Sequence, residues 1–316
     1  MKIGSVQVNG RQRLAVADSD TTAVVIDPAA VLGPPGGDVG ALIGGGPAAM
    51  TRLQAAVASA ASARASQPVT ALHWLPPVAR PGKLLCLALN NSANKERIIR
   101  GPSHPALFTK AASSLIGHGE PIRMRKNYGR VHPEPELVLV LGKGGRDIAE
   151  AVAYEHVFGY TIINDLTSPT MREDDTFHYR AIHPKADGSA GIEYRDTFVS
   201  YPGRYKGADT FGPIGPWVAT RDEVPDAHAL TVRCLHGERL ITEDNTRNLF
   251  YKVPQVLAFV SYYMTLEAGD LIALGTALQS AGGGQAVQTV DLNQLGGPIS
   301  VSISGIGTLS NPVVWD

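Results

Sequence analysis

The sequence predicts an α+β fold that is mainly strand. Short apolar runs bounded by turn formers recur along the chain, candidate strands outnumber candidate helices, and the two do not alternate as a doubly wound sheet requires. No internal repeat of fixed period is present.

Residues 1 to about 30 read as a small meander. Its strands are "KIGSVQV", "RLAVA" and "TAVVID", and its first turn is Asn9-Gly10, a strong hairpin signal. After the loop "GPPGGD", an alanine-rich stretch from about Ala48 to Ala65 reads as a helix. The prolines of "HWLPPVARPG" mark a boundary near residue 75. A small N-terminal domain over 1–75, a meander plus a helix, is therefore expected before a larger one over 76–316. In the larger domain Leu84 to Leu89 reads as a buried strand. Further strands are predicted at 137–141, 157–163, 216–220, 230–235, 271–274 and 299–304, and helices at about 92–100, 148–153 and 252–265. The glycine-rich pieces "GGGP" (44–47), "GKGGRD" (142–147) and "AGGGQ" (281–285) lack the context of a phosphate loop and read as turns.

Composition narrows the function. An apolar fraction of 44% with 18% charged residues describes a soluble globular protein, and a formal charge of -1 provides no general field for nucleic acid or an anionic membrane. Met1 to Arg11 has no secretory-type apolar core and no run approaches the roughly 18 apolar residues of a membrane span. A cytoplasmic address is the expectation. Cys86 and Cys234 lie in apolar contexts and read as buried free thiols without a catalytic role.

The stretch "HPEPELVLVLG" (132–142) is unusual for a strand. Strand alternation projects Glu134 and Glu136 to the same side. Pro133 and Pro135 lack N–H donors, so this end belongs at a sheet edge, a bulge or a cavity rim. In "HVFGYTIINDLTSP" a second apolar strand runs into Asn164-Asp165 and leaves a carboxylate at its end, where turns and sites both favour aspartate.

With the pieces "PALFTKAASSLIGHGEPI", "EPELVLVLGKGGRDI", "VFGYTIINDLT", "YKGADTFGPIGPWVAT", "TLEAGDLIALGT" and "ISGIGTLSNPV" in one order, the chain from about residue 80 onward resembles the catalytic domain of the fumarylacetoacetate hydrolase family. The resemblance implies mixed, layered β-sheets with few helices, and a single divalent cation held by Glu134, Glu136 and Asp165. Three carboxylates without His or Cys form a hard oxygen shell that suits Mg²⁺, Mn²⁺ or Ca²⁺. It also brings Lys110 and Lys206 to the metal and the substrate, and places Thr276, in "LGTA", against a substrate carboxylate. A small-molecule carboxylate as substrate and a homodimer are further implications.

The implied activity is a metal-dependent one on a 2-oxo or 1,3-dicarbonyl carboxylate, passing through a metal-stabilised enolate. Carbon–carbon cleavage, hydrolytic or decarboxylative, ranks first. Dehydration, hydration or isomerisation of a 3-deoxy-2-oxo acid is the alternative, and a catalytically silent ligand-binding homologue is another. Two departures from the family bear on this choice. Where its hydrolases carry a His and, one helical turn on, a Glu that activate water, this chain has Asn94 and Arg97. A neutral amide takes no proton at pH 7, so Asn94 is expected to bind substrate rather than to act as the base. Glu96 is the nearest carboxylate and the candidate replacement, although an acid in the run "NKER" reads first as solvated. The connection from 168 to 205 is longer than usual, reads as a lid or binding loop, and offers Arg172, His178 and His183 to the site.

Overall fold

The computed structural model describes residues 1–62, 66–279 and 287–316. Its first strands, β1 (Lys2–Val8), β2 (Arg11–Ala17) and β3 (Thr22–Ile26), form the expected meander. Asn9 and Gly10 both adopt positive φ, the geometry of the tight turn their dipeptide predicts. Three helices follow, α1 (Pro28–Leu32), α2 (Val39–Gly44) and α3 (Gly46–Ser62), and then β4 (Ser66–Pro68) and β5 (His73–Leu75). The end expected for α3 at Ala65 and the turn expected at 281–285 lie outside the described residues.

The larger part of the chain begins with β6 (Leu84–Ala88), β7 (Ala106–Thr109), β8 (Leu115–Ile116) and β9 (Ile122–Met124). Two long buried strands, β10 (Pro135–Leu141) and β11 (Val157–Asn164), come next. After the short helix α4 (Pro169–Asp174) the chain forms a hairpin of β12 (Thr176–Pro184) and β13 (Ile192–Ser200), and then helix α5 (Gly203–Gly207) and strand β14 (Gly212–Thr220). The last third contributes β15 (Thr231–His236), β16 (Arg239–Asn245), helix α6 (Val253–Tyr263), β17 (Leu271–Ala273), helix α7 (Leu292–Leu295), β18 (Ile299–Ile303), β19 (Gly307–Asn311) and β20 (Val313–Trp315).

A twelve-stranded sheet runs in the order β4-β3-β2-β1-β14-β11-β10-β17-β6-β7, with β5 beside β1 and β8 beside β14. Hydrogen bonding thus crosses the boundary expected near residue 75, because β1 is antiparallel to β14. A second sheet, β16-β15-β18-β19, supplies another layer. Alternation along β10 shows how the layers are assembled. Leu137, Leu139 and Leu141 join a core with Val256, Leu257 and Val260 of α6 and Val232, Val301 and Ile303 of the second sheet. Val138 and Val140, on the opposite face, share a core with Leu42, Ile43 and Leu53 of the first helices. Both faces are covered, and this explains why the run is apolar throughout.

The structure corrects three expectations. The helix predicted over 92–100 is a single 3₁₀ turn, Ser92–Asn94, capped by the Asn91 side chain; the residues after it are mostly exposed and offer no apolar stripe to bury. The segment at 148–153 is a 3₁₀ stretch, Glu150–His156. The supposed long loop at 168–205 is built mainly from the β12–β13 hairpin, paired from Thr176↔Ser200 to Pro184↔Ile192. Its signal was the alternation in "TFHYRAIHP" and "IEYRDTFVS" on either side of an Asp-Gly pair. Of the edge, bulge or cavity rim expected for the start of β10, the rim is found: Glu134 lines a cavity, while Pro135 lies on an inner strand, where its carbonyl accepts from Ala277 and β17 pairs with β10 only from Val138 onward.

Leu139 is fully buried in the strand that underlies the site. Leu139→Ala is expected to cost about 2–5 kcal/mol, read from urea unfolding of the two proteins; a cost below 1 kcal/mol would contradict the packing described.

Candidate metal centre

Three carboxylates meet where β10 begins and β11 ends. Glu134 precedes β10, Glu136 is its second residue, and Asp165 follows β11 directly. One ligand oxygen from each lies within 4.8 Å of the others. The local backbone explains the convergence. Asp165 N–H donates to the Glu134 carbonyl at 2.8 Å, and Glu134 N–H, flanked by two prolines that have no N–H, donates to Asn164 Oδ1 at 2.9 Å. The Asn-Asp pair therefore pins the entrance of β10 to the exit of β11.

Lys206, at the end of α5, places Nζ 2.6 Å from Glu134 Oε2 and 2.7 Å from Asp165 Oδ2. The fully buried Lys110 ammonium lies 2.7 Å from Asp165 Oδ1 and also donates to the Lys206 carbonyl. Thr276 Oγ1 lies 3.2 Å from Glu134 Oε2 and 3.0 Å from Glu136 Oε1, and Gly275 N–H donates to Glu136 Oε2 at 2.9 Å. Gly275 has φ +103°, and a Cβ there would meet Asn90 Cβ at 2.9 Å. Glycine is thus required both for conformation and for close approach.

The charges are strongly interdependent. Burial lifts the Glu136 carboxyl well above its ordinary range, and Asp165 and Glu134 add to the effect. Burial acts the same way on Glu134, but Lys206 and His132 outweigh it and hold that carboxyl low. Burial alone would lower Lys206; the three carboxylates reverse this and keep it charged. Three carboxylates directed at one point, two of them oppositely perturbed around a buried lysine, match the needs of a hard cation, which binds several carboxylate oxygens without regard to direction. Glu134, Glu136 and Asp165 are the residues that would hold it.

A cavity of about 400 Å³ opens over this centre, lined by Asn94, Arg97, His132, Glu134, Arg172, Lys206 and Thr276 among others. Of the residues expected to serve substrate, Asn94, Arg172 and Thr276 line it. Glu96 is exposed and does not, and His178 sits out on the hairpin against Phe198, with ring centroids 4.4 Å apart. His183 does not line it either; from the hairpin strands only Ser200 does. His132, two residues before Glu134, was not anticipated: its Nε2 is 3.0 Å from Glu134 Oε1 and its buried Nδ1 has no hydrogen bond. Cys86 and Cys234 are buried free thiols, and burial raises both, Cys234 to about 12.

The model of the fumarylacetoacetate (FAA) hydrolase C-terminal domain matches residues 83–314. The chain belongs to this family. A mitochondrial oxaloacetate tautomerase of Xenopus laevis is 31% identical over 244 residues, covering 77% of this chain and 69% of that protein. The fumarylacetoacetate hydrolase of Exiguobacterium antarcticum is similar over the full length of both chains, with TM-score 0.76 and 29% identity. Maleylpyruvate hydrolase of Sphingobium sp. SYK-6, solved with manganese(II) and pyruvate, gives TM-score 0.72 and 26% identity over 100% of this chain and 99% of its own. The FAA hydrolase fold accounts for the mainly β, layered architecture. Among the described residues no helix is long and apolar enough to cross a membrane.

Asp244, on β16 behind the centre, is 3% exposed and accepts only from donors. Burial pushes its carboxyl up, but hydrogen bonds from Asn248, Leu278, Asn245 and Asn91 hold it below the usual range. A depressed folded value means that its stabilising contribution is complete above the unfolded value of about 3.9 and is lost as pH falls through the folded value. Urea midpoints recorded from pH 7 down to pH 2 should therefore fall less steeply at the acid end in Asp244→Asn than in the wild type; parallel curves would show that Asp244 adds nothing to the acid response.

Proposed function

We propose that this protein is a divalent-metal-dependent enzyme that cleaves a carbon–carbon bond in a short 2-oxo carboxylate, by decarboxylation of an oxaloacetate-type dicarboxylate through its enolate. The observation that carries this reading is a cluster of three carboxylates and the Lys206 ammonium, of which Glu134 and Lys206 line a cavity whose wall also holds Asn94 and Arg97 where a water-activating pair would stand.

A cation held by the three acids supplies Lewis-acid polarisation of the substrate carbonyl. The chain's own residues supply the rest. Lys206, fixed by Glu134 and Asp165, offers a preorganised positive charge to the enolate oxygen or the adjacent carboxylate. Thr276 Oγ1 is a second polar group on that side, and Arg97 and Arg172 offer cations on the cavity wall to the second carboxylate. In decarboxylation the bond from C3 to the departing carboxylate breaks, carbon dioxide leaves, and the electron pair becomes the enolate, which takes a solvent proton at C3. No base acts before bond breaking.

Hydrolysis, by contrast, requires a base to deprotonate water. Asn94 Oδ1 accepts from Arg97, and His132 Nε2 is engaged by Glu134. Tautomerisation of the same substrate is a second reading, supported by the Xenopus laevis relative; it uses the same enolate and returns the proton to carbon or oxygen without loss of carbon dioxide.

Proton NMR of oxaloacetate with enzyme and Mg²⁺ or Mn²⁺ tests the proposal against the same metal without enzyme. Pyruvate is expected to form faster with enzyme, and Glu136→Gln is expected to return the rate to that of the metal alone. Enol loss without extra pyruvate would select tautomerisation. Hydrolysis of an acylpyruvate with oxaloacetate untouched would overturn both.

A further inference from the structure

The Asp244 carboxylate lies outside the metal centre and the cavity lining, yet it joins the two segments that complete them. Its Oδ2 accepts from Asn91 Nδ2 at 2.9 Å, Leu278 N at 2.7 Å and Gln279 N at 3.2 Å. Its Oδ1 accepts from Asn245 N and Asn248 Nδ2, each at 2.7 Å. Asn91 Nδ2 also donates to the Thr276 carbonyl at 3.1 Å, and Asn91 Oδ1 accepts from Ala93 N–H at 3.0 Å to cap the turn that presents Asn94. One buried anion thus ties the strand-exit segment bearing Gly275 and Thr276 to the turn bearing Asn94.

All five groups around the carboxylate are donors, so both oxygens must accept. An isosteric amide fails at this position, because its NH₂ must face either Leu278 and Gln279 or Asn245 and Asn248, and at least two donors lose their acceptor. The Leu278 and Gln279 amides lie within four residues of Thr276, whose hydroxyl touches two of the three acids, and of Gly275, whose amide touches one. Displacing this segment alters the setting of Glu134 and Glu136 without removing any ligand.

We infer that Asp244 is a positioning residue for the metal centre: by holding the Gly275–Gln279 segment against the Asn91 turn, it sets the geometry of Glu134 and Glu136 and hence the affinity for the divalent cation. The inference rests on the reading that the three acids bind such an ion.

Mn²⁺ titration followed by electron paramagnetic resonance of the free ion tests it without recourse to activity. Wild type should take up one Mn²⁺, and Asp244→Asn should bind it about tenfold more weakly, the low end of the roughly 10- to 100-fold loss seen when groups that orient metal ligands are removed. Asp270→Asn is the control for lost stability. Asp270 is equally buried and accepts from Lys83 N and Glu267 N, on the side of β17 away from Thr276. It should lower the melting temperature and leave Mn²⁺ affinity at the wild-type value. If Asp244→Asn does not fold, Asn91→Ala, which removes one donor and the link to the Thr276 carbonyl, decides the matter by a measurable loss of Mn²⁺ affinity. No uptake by wild type would overturn the metal reading itself. Wild-type affinity in Asp244→Asn or Asn91→Ala, or an equal loss in Asp270→Asn, would overturn the role of Asp244 alone.

Discussion

Three carboxylates whose oxygens lie within 4.8 Å of one another, two of them almost fully buried, impose the constraint on which the rest of this structure depends. Two unit charges 4 Å apart repel by about 4 kcal/mol at an effective dielectric of about 20. An arrangement of this kind persists only if the fold both holds the acids in place and brings positive charge to them. Lys206 bridges Glu134 and Asp165, and Lys110 pairs with Asp165 from the other side. With every group ionised, one negative charge is left. A divalent ion held there would turn that remainder positive, the sign that favours an anionic ligand. The same balance makes Lys206 more than a counterion, since a lysine fixed against two of the carboxylates also faces whatever the cavity holds.

The means of holding the acids lie mostly in the backbone. Prolines on either side of Glu134 remove two donors, and the one that remains is taken by Asn164. Gly275 gives its N–H to Glu136 from a conformation that side chains avoid, close against Asn90. These contacts gather where β10 enters and β11 leaves the large sheet, the position at which loops can aim polar groups while the strand interiors remain apolar on both faces. Rigid strands thus position the carboxylates, and the connections between them carry other polar groups that line the cavity.

Much of this was legible in the sequence for physical reasons. Alternation fixes the direction of Glu134 and Glu136 once 137–141 is read as a strand, and the apolar run into Asn164-Asp165 places an acid at the neighbouring strand end. The strands expected from Leu84 onward coincide with β6, β10, β11, β14, β15, β17 and β18 because buried strands are short, apolar and punctuated, whereas β7, β8, β9, β16, β19 and β20 carry weaker apolar runs and were not singled out. The hairpin was not, since β12 and β13 carry charges and exposed aromatics and are paired with each other alone, so their period-2 pattern is blurred. The 3₁₀ turn at Ser92–Asn94 was read as a longer helix because local propensity does not register that its following residues have nothing to pack against. Asp244 and His132 were invisible for another reason: their importance lies in partners distant in the chain, and "TEDNT" or "VHPEP" does not show which donors will surround them.

The chemistry of the site turns on whether one hard ion is shared by all three acids. Anomalous diffraction from crystals grown with Mn²⁺ tests this directly. The expected result is a single peak about 2.0–2.6 Å from an oxygen of each of Glu134, Glu136 and Asp165. A map without a peak at this position, or one in which Asp165 contacts only Lys110 and Lys206 while the ion sits elsewhere, would contradict it.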